Sequence, residues 1–210
     1  MFREIPLTEN RKNNRKKLYS VGINDAPYIT EIRVDGKRYT CRIYTMWKSV
    51  LQRVYSEKWK IKHPTYTGCT IQKEWLIFTN FSKWVKLHDW EHHDLDKDLK
   101  IKGNKHYSSD TCLFVLPAIN KLLINSCKTR NGYPMGVSKA CSKYGYTARV
   151  SLYGVDTHLG TFDTSEAAGE AFKTAKVKHV IEVALTQPTE ICAALHRIAD
   201  EILNDQYYGN

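Results

Sequence analysis

Between Leu95 and Cys112 the chain runs LDKDLKIKGNKHYSSDTC, and this stretch gathers residue types able to do phosphoester chemistry. Asp96 and Asp98 stand at i, i+2, which on a strand sends both carboxylates to one face, as a divalent metal site requires. Lys97 sits between them. At its ordinary pKa a lysine is protonated and cannot accept a proton, and two flanking carboxylates favour that charged form. The histidines His92, His93 and His106 bracket the acids. A plainer use of the same residues is a strand edge whose acids pair with Lys100 and Lys102.

The elements that would position these groups follow from periodicity. A strand ends in the acidic cluster, passes through a Gly103-Asn104 turn, and leads to a short Ser-capped helix in YSSDTC. Upstream, YITEIRVDGKRYTCRIY alternates about Asp35-Gly36 and predicts a β-hairpin with a type I′ turn. From Tyr44 to Lys58, Trp47, Leu51, Val54 and Tyr55 fall on one helical face, with Lys48, Arg53 and Lys58 elsewhere on the surface. TIQKEW predicts a strand, and TNFSKWVKLH a helix capped by Thr79 or Asn80 with Phe81, Trp84 and Val85 inward. LPAINKLLI continues as a short helix, and KTRNGYPMG has the composition of a linker. Three short strands, MGVSK, YTARVSLYG and THLGTF, precede an alanine-rich helix capped by Asp163 or Thr164. A last helix, TEICAALHRIADEIL, has Ile191, Leu195, Ile198 and Ile202 on one face.

The 210 residues carry a formal charge of +10, which points to a polyanionic partner, nucleic acid first and an anionic membrane second. No apolar run approaches the ~20 residues of a membrane span, so the expectation is a cytoplasmic chain with no membrane partner. Residues 1–18 hold Arg3, Arg11, Lys12, Arg15, Lys16 and Lys17 against Glu4 and Glu9, predicting a flexible basic arm. None of the six cysteines forms a C-x-x-C pair, so reduced, packed thiols are expected. A zinc site from Cys41, Cys69 and Cys112 with a histidine is the alternative use of those thiols.

Residues 134–176 resemble the Apetala or ethylene-response-factor type of DNA-binding domain. The matching elements are Gly136-Val137, the strand Tyr146–Val150, the segment Leu159–Thr164 and the E-A-A helix after it. The resemblance implies a small three-stranded antiparallel sheet packed on a helix. The free face of that sheet would carry Lys139, Lys143, Tyr146, Arg149, Ser151 and His158 to DNA. Positions that hold base-reading Arg or Trp in that family are here Met135, Ser138, Ser151 and His158.

Residues 44–123 resemble a phage HNH-type (His-metal finger) homing-endonuclease family, through Trp47, Arg53, Tyr55 and Ser56, then Gly68, Cys69, Glu74, Trp75, Phe78, Phe81 and Trp84, then the acidic stretch. The resemblance implies a ββα nuclease-type module, an α+β chain overall, and Mg2+ or Mn2+ with Asp96 as ligand, His106 or Tyr107 near the helix-start ligand and Asp110 near the helix acid, Asp98 joining them as the carboxylate on the same strand face. The family's base histidine is replaced by Lys97. The implied outcomes are three: Lys97 stabilises the phosphorane while His92, His93 or His106 acts as base, the metal-bound water needs no side-chain base, or cleavage is lost. Arg53 and Lys105 are further expected DNA contacts. The expected domains are a basic arm (1–18), an HNH-like domain (19–128) and a DNA-binding domain with C-terminal helix (129–210). Three functions stay open: a metal-dependent endonuclease on double-stranded DNA, a DNA-binding protein on a degenerate scaffold, and a phage factor that binds a host protein. Oligomeric state is not legible.

Overall fold

The computed structural model describes residues 2–8, 14–123, 129–130, 132–141, 144–205 and 207. The architecture is α+β, and the chain divides into two compact units, residues 1–115 and 116–210. No helix among the described residues is long and apolar enough to cross a membrane.

In the first unit β1 (Glu31–Val34) and β2 (Lys37–Thr40) form the expected hairpin, with Asp35 and Gly36 at φ of 50° and 73°. Positive φ at both turn residues matches the right-handed twist of the strands. The helix expected from Tyr44 to Lys58 is two helices, α1 (Arg42–Tyr55) and α2 (Glu57–Lys62). The break falls at Ser56, whose extended backbone and hydroxyl, accepting the Trp59 N–H, start a new helix. Of TIQKEW only β3 (Thr70–Ile71) is strand, and Lys73–Leu76 winds into a 3-10 turn. The helix α3 (Phe78–Lys86) is not capped by Thr79 or Asn80. Asp25 caps it from a distant loop, accepting the Thr79 N–H at 2.9 Å and the Thr79 hydroxyl.

Aromatic side chains fill the space between these helices. Trp47 is wholly buried, and its Nε1–H donates to the Trp75 carbonyl at 2.6 Å. Tyr44 and Trp47 pack on Phe78, Trp75 packs on Phe81 and Trp84, and Trp84 stacks on Phe114 at 5.4 Å. Phe114 belongs to β6 (Leu113–Val115), which pairs antiparallel with β4 (Asp94–Asp96). A second pair, β3 with β5 (His106–Tyr107), is parallel. Part of the basic arm is hydrogen-bonded to the segment that follows it. Leu7 N–H donates to Pro27, Ile29 N–H donates to Ile5, and the Arg15 guanidinium reaches the carbonyls of Asn24, Ala26 and Tyr28 at 2.6–2.9 Å. Arg11 and Lys12 lie outside the described residues.

The second unit begins earlier than the sequence suggests. The helix α4 (Pro117–Leu123) belongs to it, accepting hydrogen bonds from Lys176 Nζ at Leu122 O and from the Tyr207 hydroxyl at Leu123 O. The expected linker holds a small hairpin, β7 (Thr129–Arg130) with β8 (Tyr133–Pro134). Then β9 (Val137–Lys139), β10 (Tyr146–Leu152) and β11 (Val155–Phe162) form an antiparallel sheet in the order β11-β10-β9. The helix α5 (Ser165–Ala184), capped by Thr164 Oγ1 on the Ala167 N–H, covers one sheet face, and α6 (Thr189–Leu203) packs on α5.

The sheet meets α5 so closely at Gly136 (φ 74°) that an added Cβ would lie 2.1 Å from the Phe172 ring and 2.7 Å from the Arg149 carbonyl. Gly136→Ala therefore combines a left-handed backbone with a clash against main chain. It should cost roughly 2–4 kcal/mol of second-unit stability in urea unfolding.

At the far end of the sheet, Tyr153 (φ 52°) turns β10 into β11, and its ring meets His179 of α5 edge-on at 4.2 Å. Its N–H donates to His179 Nε2 at 3.4 Å, and its hydroxyl donates to Glu182. Burial holds His179 below the ordinary imidazole range, Lys176 adds to that, and Glu182 opposes it. A depressed histidine contributes stability that is present above its unfolded pKa and lost as pH falls below it. Melting temperature should drop from pH 7 to pH 5.5, and His179→Gln should flatten the part of that slope owed to this ring.

Candidate nucleic-acid interface

Two places hold the residues singled out by sequence: the loop between β4 and β6, and the open face of the β9–β11 sheet.

The loop is organised inward. Asp96 ends β4, and its Oδ1 accepts the backbone N–H groups of Asp98 at 2.9 Å and Leu99 at 2.7 Å. The chain therefore turns at Asp96, and Asp98 does not continue the strand, so the two acids do not share a strand face. Burial pushes the Asp96 carboxyl upward, the nearby Asp98 charge adds to this, and the two backbone donors and Lys97 oppose it. Lys97 is only 8% exposed, and its Nζ lies 3.0 Å from Asp98 Oδ2. Lys97 is thus a packed side chain with a carboxylate beside it.

Asn104 closes the loop. Its Nδ2 donates to the carbonyls of Lys97 (2.6 Å) and His106 (2.7 Å), while its Oδ1 accepts the His106 N–H at 3.0 Å. That satisfies an amide's two N–H donors and its acceptor. It positions backbone, not an imidazole. The Ser-capped helix expected in YSSDTC is a single turn, with Cys112 N–H on Ser108 O and the Ser108 and Thr111 hydroxyls 2.9 Å apart. Asp110 beside it is exposed.

The expected ligands and bases are dispersed among other partners. His106 Nδ1 lies 2.8 Å from Thr70 Oγ1, and His93 Nδ1 lies 2.8 Å from the Glu91 carbonyl. His92 is exposed. Among the described residues no group of three or more His, Cys, Asp or Glu is placed to hold a metal ion. Cys41, Cys69 and Cys112 are buried free thiols. Burial pushes Cys112 up to about 12, and the Tyr28 hydroxyl lies 3.7 Å from Cys41.

The sheet face is organised outward. Along β10 the residues alternate, with Ala148 and Val150 buried against α5 and Arg149 and Ser151 exposed. Tyr146 has the parity of Ala148. It packs on Tyr133 and the Val137–Ala148–Ala168 cluster, so its expected place on the DNA-facing side is corrected to the core side. Lys139 pairs with Tyr146 and shares that side by register, although it is exposed at the sheet edge. Lys143 lies outside the described residues.

A register shift between Ala148 and Arg149 brings Arg149 opposite His158 and Ser151 opposite Asp156. Arg149 Nε and Nη2 both lie 2.8 Å from Asp156 Oδ2. Beyond the shift, Thr147 sits between Ser138 and Thr161 on the same open side. The sequence reading passed over Thr147, Thr161 and Asp156, though strict alternation from Arg149 would have named Thr147. Of the two expected DNA contacts in the first unit, Lys105 is exposed and Arg53 is half-buried, held between Tyr66 and Tyr107.

No family model, curated protein or solved structure matches the chain.

Asp96→Asn keeps an acceptor for the two backbone N–H groups and removes a charge that burial disfavours. The variant should melt higher than wild type at pH 7. The gap should narrow as pH falls and the wild-type carboxyl protonates in the folded state, closing below the ordinary carboxylate range. Mn2+ should raise the melting temperature of neither protein; a rise confined to wild type would show that Asp96 holds the cation.

Proposed function

We propose that this protein binds double-stranded DNA through the open face of its β9–β11 sheet, without using the acidic loop for metal-dependent cleavage. The observation that carries the reading is Arg149, fixed by Asp156 amid Ser138, Thr147, Ser151, Thr161 and His158 on the side of the sheet that α5 leaves uncovered. A two- or three-stranded sheet enters the major groove, where an arginine reaches guanine O6 and N7 and hydroxyls serve either base edges or phosphates. The resemblance of residues 134–176 to a sheet-based DNA-binding domain supports the same use. An exposed ion pair contributes about 0–1 kcal/mol, so Asp156 yields Arg149 to a base edge at little cost.

Of the two DNA readings, the binding protein is favoured over the endonuclease by the chemistry of the loop donors. Asp96 caps a turn, Lys97 pairs with Asp98, and His106 faces Thr70.

Selection from a random duplex library should recover a preferred sequence, and Arg149→Ala should bind it about 5- to 150-fold more weakly, the range of one bidentate base contact. Asp156→Asn should bind non-selected duplex more tightly, because it removes a negative charge from the face. Supercoiled plasmid with Mg2+ or Mn2+ should remain supercoiled, as with EDTA. Nicking that Asp96→Ala abolishes would restore the endonuclease reading, and absence of any duplex binding at 100 mM salt would end both.

A further inference from the structure

The charge of the protein is not where the sheet is. Residues 1–115 carry 22 Lys and Arg against 13 Asp and Glu, a net +9, whereas residues 116–210 carry 10 against 9, a net +1. On the open sheet face the Arg149 charge is moreover offset by Asp156. Polyelectrolyte attraction to DNA scales with the phosphates neutralised. The second unit is therefore poorly supplied for that part of binding.

One corner of the first unit is well supplied. The Trp59 ring packs on His63 at 4.2 Å, His63 meets Tyr66 at 6.4 Å, and the Arg53 guanidinium lies 5.2 Å from the centre of the Tyr66 ring. Burial would weaken the basicity of Arg53, but Tyr107, Tyr66 and Asp94 outweigh it and hold the guanidinium charged. Two donors in this chain of contacts, Arg53 Nε and Trp59 Nε1, are buried with no hydrogen-bond partner among the described residues. Around it the charged residues point to solvent. Lys58 and Lys62, at i, i+4 on α2, and His63 after them are exposed, and Ile61 is 79% exposed. Lys105 joins the corner by donating to the Thr65 carbonyl in the turn Pro64–Tyr66. Of the acids nearby, Glu57 is engaged by Lys60 at 2.9 Å and Asp94 faces Arg53.

We infer that the corner formed by α2, the Pro64–Tyr66 turn and Lys105 is a second DNA surface, which takes backbone phosphates and supplies most of the salt-dependent affinity. Lys58, Lys62 and Lys105 are the phosphate ligands, and the Trp59–His63–Tyr66–Arg53 stack is the rigid base that orients them. The inference rests on the reading that the protein binds duplex DNA, with sequence preference left to the sheet.

The test is the affinity of the full chain for a fluorescein-labelled random-sequence duplex, followed by anisotropy across a KCl series. Each phosphate contact contributes about 0.9 to the slope of log K against log salt. Lys58→Gln/Lys62→Gln/Lys105→Gln should flatten that slope by about 2.7. Arg149→Ala should leave it within about 0.9 of wild type. The arginine triple at the same three positions should keep the wild-type slope. If the glutamine triple unfolds by circular dichroism, the pair Lys58→Gln/Lys62→Gln, which leaves the Lys105–Thr65 contact intact, should flatten the slope by about 1.8. A wild-type slope in a folded glutamine variant overturns the inference while leaving DNA binding in place. Failure of wild type to bind overturns the DNA reading itself.

Discussion

The hydrogen bond from the Trp47 indole to the Trp75 carbonyl, 2.6 Å long and sealed from water, is the contact on which the first unit depends. Trp47 comes from the middle of α1, and Trp75 from the 3-10 turn that feeds α3. A buried indole N–H without a partner costs about 1–3 kcal/mol, so the pairing selects the one docking of these elements that satisfies it. The aromatic contacts radiating from it carry the rest. Phe78 and Phe81 bring in α3, and Trp84 brings in Phe114 and with it β6 and β4. Arg53 and the start of α2 lie at the end of the same helix that Trp47 anchors.

Within that frame the acidic loop is held by local polar bonds. Asp96 accepts two backbone N–H groups, Asp98 neutralises Lys97, and Asn104 ties Lys97 to His106 through their main chains. A lysine buried to this degree needs a carboxylate beside it, because an unpaired charge in that setting would be expelled or neutralised. Asp98 is that carboxylate for Lys97.

The second unit solves a smaller problem. A three-stranded sheet has two faces, and one helix covers only one of them, so the alternation along β10 divides its residues into core and surface without a third choice. The bulge after Ala148 preserves that division while shifting the partners of Arg149. The result is an open face that carries Arg149 and several hydroxyls, on a unit with almost no net charge. The first unit carries a basic, aromatic corner, so the two units are chemically unequal.

Much of this was legible in the sequence because it depends on neighbours along the chain. The Asp35-Gly36 hairpin, the Thr164-capped α5, the span of α6 and the aromatic core positions all follow from period, turn chemistry and capping. The inward place of Tyr146 was legible too, since it shares parity with Ala148 and Val150; resemblance to a family drew it to the wrong face. Only the tertiary structure decided that Asp25 caps α3, that Arg15 pins the amino-terminal segment, that Lys97 turns inward, and that Arg53 lies between Tyr66 and Tyr107. In most of these the partner is remote in sequence, and spacing along a chain says nothing about which distant segments close on one another. Asp96 is the instructive exception. Its partners are two and three residues away, yet whether its carboxylate faces a cation or its own backbone is settled by whether the chain turns there, and that turn is held by Asn104 and the β4–β6 pairing.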